Sequence, residues 1–168
     1  YTTLFRSSIT LAHATRRATA ALAIILLTAT TAWADDIPVT AKTTTMSSGT
    51  YRVTENVTVD TRITIDGDVT LILGDGTTLT ANKGIELSSN NKLTIEGNGT
   101  LTATSNNTTN KSGIGAQNFG TLIINGGNVN ATGYLGAAGI GTETGGTDGG
   151  SITINGGVVT AVGGQFSA

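Results

Sequence analysis

The chain of 168 residues has no cysteine, one histidine, one proline and only 4% aromatic residues. Each shortage excludes something. Without cysteine no disulfide can staple the fold, so stability has to come from packing and backbone pairing. The single histidine, His13, falls in a stretch expected to be removed from the mature protein. A Ser-His-Asp or Cys-His nucleophile is therefore ruled out there, and a zinc site of the usual composition has no ligands. With so few aromatic residues, large rings do not fill the core. After residue 34 no stretch keeps a 3.6-residue apolar period, which leaves no place for a helix.

The first stretch reads as an export signal. Arg6, Arg16 and Arg17 precede an apolar run from Ala18 to Ala29, and Ala32-Trp33-Ala34 follows as a small-x-small cleavage site. The run is shorter than the roughly 20 residues a bilayer-spanning helix needs. Residues 1–34 are thus expected to be a secretory signal peptide, which places the protein outside the cell or on its surface and leaves no membrane span in the mature chain. The remaining residues carry eleven acids against six bases, a net charge of −5. Such a surface repels a phosphate backbone, so nucleic acid is not an expected partner. Residues 35–49, rich in Thr and Ser and holding Pro38, are expected as a leader or coil covering the first part of the fold.

What the chain does contain is repetition. Ile63-Thr64-Ile65-Asp66-Gly67-Asp68, Leu93-Thr94-Ile95-Glu96-Gly97-Asn98, Leu122-Ile123-Ile124-Asn125-Gly126-Gly127 and Ile152-Thr153-Ile154-Asn155-Gly156-Gly157 are near-copies, with central isoleucines at 65, 95, 124 and 154. A fixed period near 30 residues marks an architecture of stacked units, each burying its apolar face against the next. Within the phrases aliphatic residues alternate with polar ones, as a strand requires. A second strand follows each time: Val69 to Leu73, Thr100 to Thr104, Asn128 to Thr132 and Val158 to Val162. In the last three, Leu101 and Ala103, Val129 and Ala131, and Val159 and Ala161 point inward. A third short segment, Gly84-Ile85-Glu86-Leu87, Gly113-Ile114-Gly115 and Gly139-Ile140-Gly141, completes the unit. Short strands separated by Gly and Asn corners predict an all-β β-solenoid, or parallel β-helix, of about four rungs over residues 50–168. Residue 168 falls where a further unit is due, and further repeats beyond Ala168 are expected.

Stacking also predicts columns. Equivalent side chains in successive rungs sit about 4.8 Å apart, so Asp66, Glu96, Asn125 and Asn155 are expected in one line, with amides hydrogen-bonding along it. Asp66 and Glu96 would repel there unless solvated or bridged by a cation. Together with Asp68 and Asp75 they form the candidate calcium ligands, calcium taking six to eight oxygens. Asp-Gly is equally a preferred turn dipeptide. The Gly-Ile-Gly phrases lack the third glycine and the helix of a dinucleotide fingerprint.

Ala138-Gly139-Ile140-Gly141, followed by the stretch from Gly150 to Ala161, resembles Gly-rich repeats of large proteins secreted or displayed by gut-dwelling bacteria. Gly67 to Thr80 resembles the entry segment of the same group. The resemblance spans roughly residues 48–168. It implies a right-handed parallel β-helix in an extracellular protein, with some relatives labelled carbohydrate-binding or adhesive. No set of functional residues comes with it.

The leading expectation is a non-enzymatic module for adhesion or contact with a polysaccharide or cell-surface glycan. Its candidate contacts are the outward Thr102, Thr104, Asn130 and Thr132, with Tyr134 in the Gly-rich loop as an aromatic platform. No cofactor is expected except calcium. The enzymatic alternative is a polysaccharide lyase or hydrolase working through carboxylates among Asp66, Asp68, Asp75, Glu86 and Glu96, with Arg62 or Lys92 as a base; ordinary solvated charge is the other reading of those two cations. A structural spacer and an ice-binding array of Thr-x-Thr positions complete the alternatives.

Overall fold

The computed structural model describes residues 36–106, 110–147 and 149–165, so the expected signal peptide lies outside the described residues. Those residues form fourteen strands and no helix. In chain order they are β1 Ile37–Pro38, β2 Thr45–Val53, β3 Val57–Val59, β4 Ile63–Leu73, β5 Thr78–Ala81, β6 Ile85–Glu86, β7 Lys92–Gly97, β8 Thr100–Thr104, β9 Ile114–Ala116, β10 Thr121–Ile124, β11 Asn128–Thr132, β12 Ile140–Thr142, β13 Ser151–Ile154 and β14 Val158–Val162. Strand already occupies β1 and the start of β2, within the segment expected as a leader.

The strands pair in parallel, in two sheets. One has nine strands, with the path β12-β9-β6-β4-β7-β10-β13, β2 attached to β4 and β1 to β2. The other has five, in the order β14-β11-β8-β5-β3. Parallel pairing between strands 14 to 30 residues apart is what a chain makes when each circuit lies on the previous one. The outcome is an all-β, solenoid-like fold. Leu93, Leu122 and Ile152 lie in register, as do Ile95, Ile124 and Ile154. In the other sheet Leu101 aligns with Val129 and Val159, and Ala103 with Ala131 and Ala161.

The first layer departs from the expected register. Ile95 is paired not with Ile65 but with Leu71, and Leu71 in turn with Tyr51. The strand expected to follow the first phrase, Val69 to Leu73, is instead the second half of the same long β4 in the nine-stranded sheet, and the strand that follows it in the five-stranded sheet is β5. β4 serves two columns at once. Its first half carries Ile63, aligned with Ile85, Ile114 and Ile140 of the Gly-Ile segments. Its second half carries the column that continues through β7, β10 and β13. In higher layers the two halves are separate strands joined by residues 87–91, 117–120 and 143–150. The step from Leu71 to Ile95 is therefore shorter than those that follow.

The halves of β4 meet at Gly67, whose φ of 95° belongs to the region glycine tolerates and other residues resist. A β-carbon there would strike the Ser48 hydroxyl. Opposite, the register with β2 slips between Ser47 and Gly49, a bulge that bends the strand pair.

Alternation places Leu71, Leu79, Leu93, Ile95, Leu101, Ile114, Leu122, Ile124 and Val129 fully inside. Burial of each such side chain stabilises the fold by roughly 1.5–3 kcal/mol. Ala81, Ala103 and Ala131 sit among them at the inward positions of the five-stranded sheet, which lets the two sheets approach closely.

Candidate functional site

The outward positions of the five-stranded sheet form the most regular surface of the molecule. Thr58, Thr80, Thr102, Asn130 and Thr160 follow one another strand by strand. Thr78, Thr100, Asn128 and Val158 make a parallel column on one side, and Thr104, Thr132 and Val162 another. None of these twelve positions is charged. Strand pleating holds them at two spacings, one between neighbouring strands and one between alternate residues along a strand. Each Thr offers a hydroxyl that both donates and accepts and a methyl beside it, and each Asn adds an amide.

Four of the five residues singled out from sequence share this face. Thr102 lies beside Asn130 and Thr104 beside Thr132, a two-by-two block on β8 and β11. Tyr134 lies just past the end of β11. Its side chain is 36% exposed, its N–H donates to the Lys111 carbonyl at 3.0 Å, and its carbonyl accepts from the Ala137 N–H at 3.3 Å. The backbone pins that turn and leaves the residue partly exposed.

The carboxylates do not gather in the same way. Register places Asp66 opposite Ser47, while Glu96 lies beside Asn125, whose amide donates to it at 3.1 Å. Asn155 donates to Asn125 at 2.8 Å. The expected ladder thus runs Glu96, Asn125, Asn155, and Asp66 is not part of it, because β4 carries its phrase in the other column. Asp68 is paired with Lys92 at 2.6 Å on an exposed edge, a surface contact worth little in water. Asp75 accepts from the Asn98 amide at 3.0 Å, and Asp60 from that of Asn82 at 2.7 Å. The recurring device is an acid in one layer met by an amide or ammonium in the next. Among the described residues no group of three His, Cys, Asp or Glu stands close enough to hold a metal ion, and no cavity or cleft is present among them.

Arg62 is not a solvated surface charge. Its side chain is only 13% exposed and reaches across layers at the corner of the stack. Nη1 donates to the carbonyls of Lys83 at 2.8 Å and Ser112 at 3.1 Å. Nη2 donates to those of Gly115 at 2.8 Å and Ile85 at 3.3 Å, and to Glu143 at 3.1 Å. Glu143, almost wholly buried, also receives Lys111 at 2.8 Å, and Glu86 approaches Arg62 Nε at 3.8 Å. Burial pulls the guanidinium below its ordinary pKa, opposed by Glu143 and then Glu86. Glycine makes this cradle possible. A β-carbon on Gly84 would crowd the carbonyl oxygens of Gly113 and Ser112 and the Arg62 guanidinium. No sequence pattern announces the cluster, since its members are 21 to 81 residues from Arg62.

Strand order and register define the protein as an all-β, parallel, solenoid-like one. Within that class, the model of a domain of unknown function, DUF7305, matches residues 10–165, and the chain belongs to this family. No curated protein and no solved structure matches it.

Proposed function

We propose that the chain is a secreted or surface-exposed, non-enzymatic module that contacts carbohydrate through the outward face of its five-stranded sheet. The same reading takes the fold as a right-handed parallel β-helix of about four rungs. The observation that carries it is the charge-free Thr and Asn array across all five strands of that sheet, where the outward positions of the nine-stranded sheet include Arg52, Asp66, Asp68, Glu86, Lys92 and Glu96. A neutral polysaccharide presents hydroxyls that exchange hydrogen bonds with Thr and Asn, and C–H faces that pack on Thr methyl groups. It brings no charge whose desolvation has to be offset. A flat array engages many sugars weakly instead of enclosing one, and such contacts gain strength by repetition.

The test is co-sedimentation of the chain with insoluble cellulose and chitin, with polygalacturonate as a charged comparator. The wild type is expected to sediment with a neutral polymer, and Thr102→Lys and Asn130→Asp to reduce the bound fraction several-fold without altering the β-type circular dichroism. Absence of wild-type binding to either neutral polymer, or binding unaffected by both substitutions, overturns the reading.

A further inference from the structure

The neutral array on the five-stranded sheet has a long and a short dimension. From strand to strand its central column runs Thr58, Thr80, Thr102, Asn130 and Thr160, one residue per layer and no charge among them. Along a strand it offers at most three outward positions, such as Thr100, Thr102 and Thr104 on β8. Beyond them the chain turns a corner, and acids stand at corners on both sides. Asp60, just past β3, accepts from the Asn82 amide at 2.7 Å, and Asp75, ahead of β5, accepts from that of Asn98 at 3.0 Å.

Hydrogen bonding also sets this column apart from the other polar lines of the stack. Asn82, Asn98, Asn125 and Asn155 each donate their amide to the layer before. The side chains of Thr58, Thr80, Thr102, Asn130 and Thr160 make no hydrogen bond among the described residues. Their hydroxyls and the Asn130 amide keep both donors and acceptors for a partner outside the chain.

We propose that the polysaccharide taken by this face is an extended, β-linked one of the cellulose and chitin kind, lying along the stack over the column of Thr58, Thr80, Thr102 and Asn130 with one sugar to each layer. This rests on the carbohydrate reading and adds to it the linkage class and the direction of the bound polymer. Neighbouring strands stand about 4.8 Å apart, close to the rise of one sugar in a fully extended β-linked polymer. Each sugar therefore meets its layer much as the one before it did. An α-linked polymer coils, and its hydroxyls leave a straight column after a sugar or two. A polymer lying along a strand would meet three such side chains before it reached the acid-bearing corners. Once one sugar is seated, the next binds as part of the same molecule, so contacts accumulate along the column.

Titration of the whole chain with soluble oligosaccharides tests the arrangement. Affinity is expected to rise at every step from disaccharide to hexasaccharide in the cello- or the chito-series, several-fold over the series. Maltohexaose, built of glucose through α-links, is expected to bind several-fold more weakly than the tighter of the two hexasaccharides. On the wild type, backbone amide NMR shifts caused by that hexasaccharide should appear together at Thr58, Thr80, Thr102 and Asn130. Thr58→Lys should weaken its binding several-fold, as should Asn130→Lys three strands away, with the β-type circular dichroism unchanged. Maltohexaose bound equally well, affinity level beyond the trisaccharide, shifts confined to Thr100, Thr102 and Thr104, or a folded Thr58→Lys variant that binds like wild type would each overturn this arrangement and leave the carbohydrate reading standing. Sedimentation with the insoluble polymers but no binding of either hexasaccharide would overturn it too. A chain that binds neither polymer nor oligosaccharide overturns both.

Discussion

Arg62 shows what a single residue can do in a stack. One guanidinium satisfies four backbone carbonyls drawn from separate layers and neutralises Glu143. Arginine alone has the planar fork of donors for this, and lysine would deliver a point charge in its place. Removing one member of a buried ionic cluster leaves the other charged and poorly solvated, at about 3–5 kcal/mol. Because Glu143 keeps Lys111, we expect Arg62→Met to lose up to about that much stability in guanidinium chloride unfolding. The double variant Arg62→Met with Glu143→Leu should recover a large part of it, and a double variant no better than the single would show that the carbonyl contacts dominate. The residue itself was visible in the sequence, but its role was not, because the acceptors converge only after three layers have been laid down.

At the scale of the strand, alternation was readable and register was read correctly only in part. Leu101, Ala103, Val129 and Ala131 are inward and fully buried, as their spacing from polar neighbours predicts. The first phrase misled because its Ile-Thr-Ile pattern occurs in β4 twice over, as Ile63-Thr64-Ile65 and as Val69-Thr70-Leu71, and only the second copy continues the column. A signal for the true register exists. Thr-Leu-Thr-Ala occurs at 78–81 and again at 100–103, and the two tetrapeptides pair residue for residue. Two substitutions on β8 separate its faces. Leu101→Ala is expected to destabilise by about 2–5 kcal/mol, since a cavity opens among close-packed neighbours. Thr102→Lys, one residue away on the outward face, should stay within about 0.5 kcal/mol of wild type. Chemical denaturation of both variants checks the pair, and similar losses from both would contradict the assigned faces.

For the molecule as a whole, each layer touches mainly its neighbours, so local stability depends on how many sides are covered. β7, β8, β10 and β11 have strands on both sides, whereas β13 and β14 have one. Native-state hydrogen exchange on the chain of these 168 residues should find the slowest amides in the central strands and progressively faster exchange toward β13 and β14. Uniform protection would mean that the stack opens as a single unit. The overall architecture was legible because a repeat near 30 residues has few other solutions. The contact face was legible only as a few Thr and Asn positions, since the absence of charge across all five strands emerges once register sets non-adjacent residues side by side.

The long β4, unbroken where later layers are interrupted, implies a seam along one corner of the protein. Where β4 simply bends at Gly67, the upper layers accept connecting segments of differing length, and the one from 143 to 150 includes Gly149, around which an added β-carbon would meet nothing. That corner can take up extra sequence without disturbing the coils. A short epitope tag grafted beside Gly149 should leave thermal unfolding unchanged, whereas the same tag at Gly67 should abolish the fold, and this contrast marks the upper corner as the place where the chain admits an insertion.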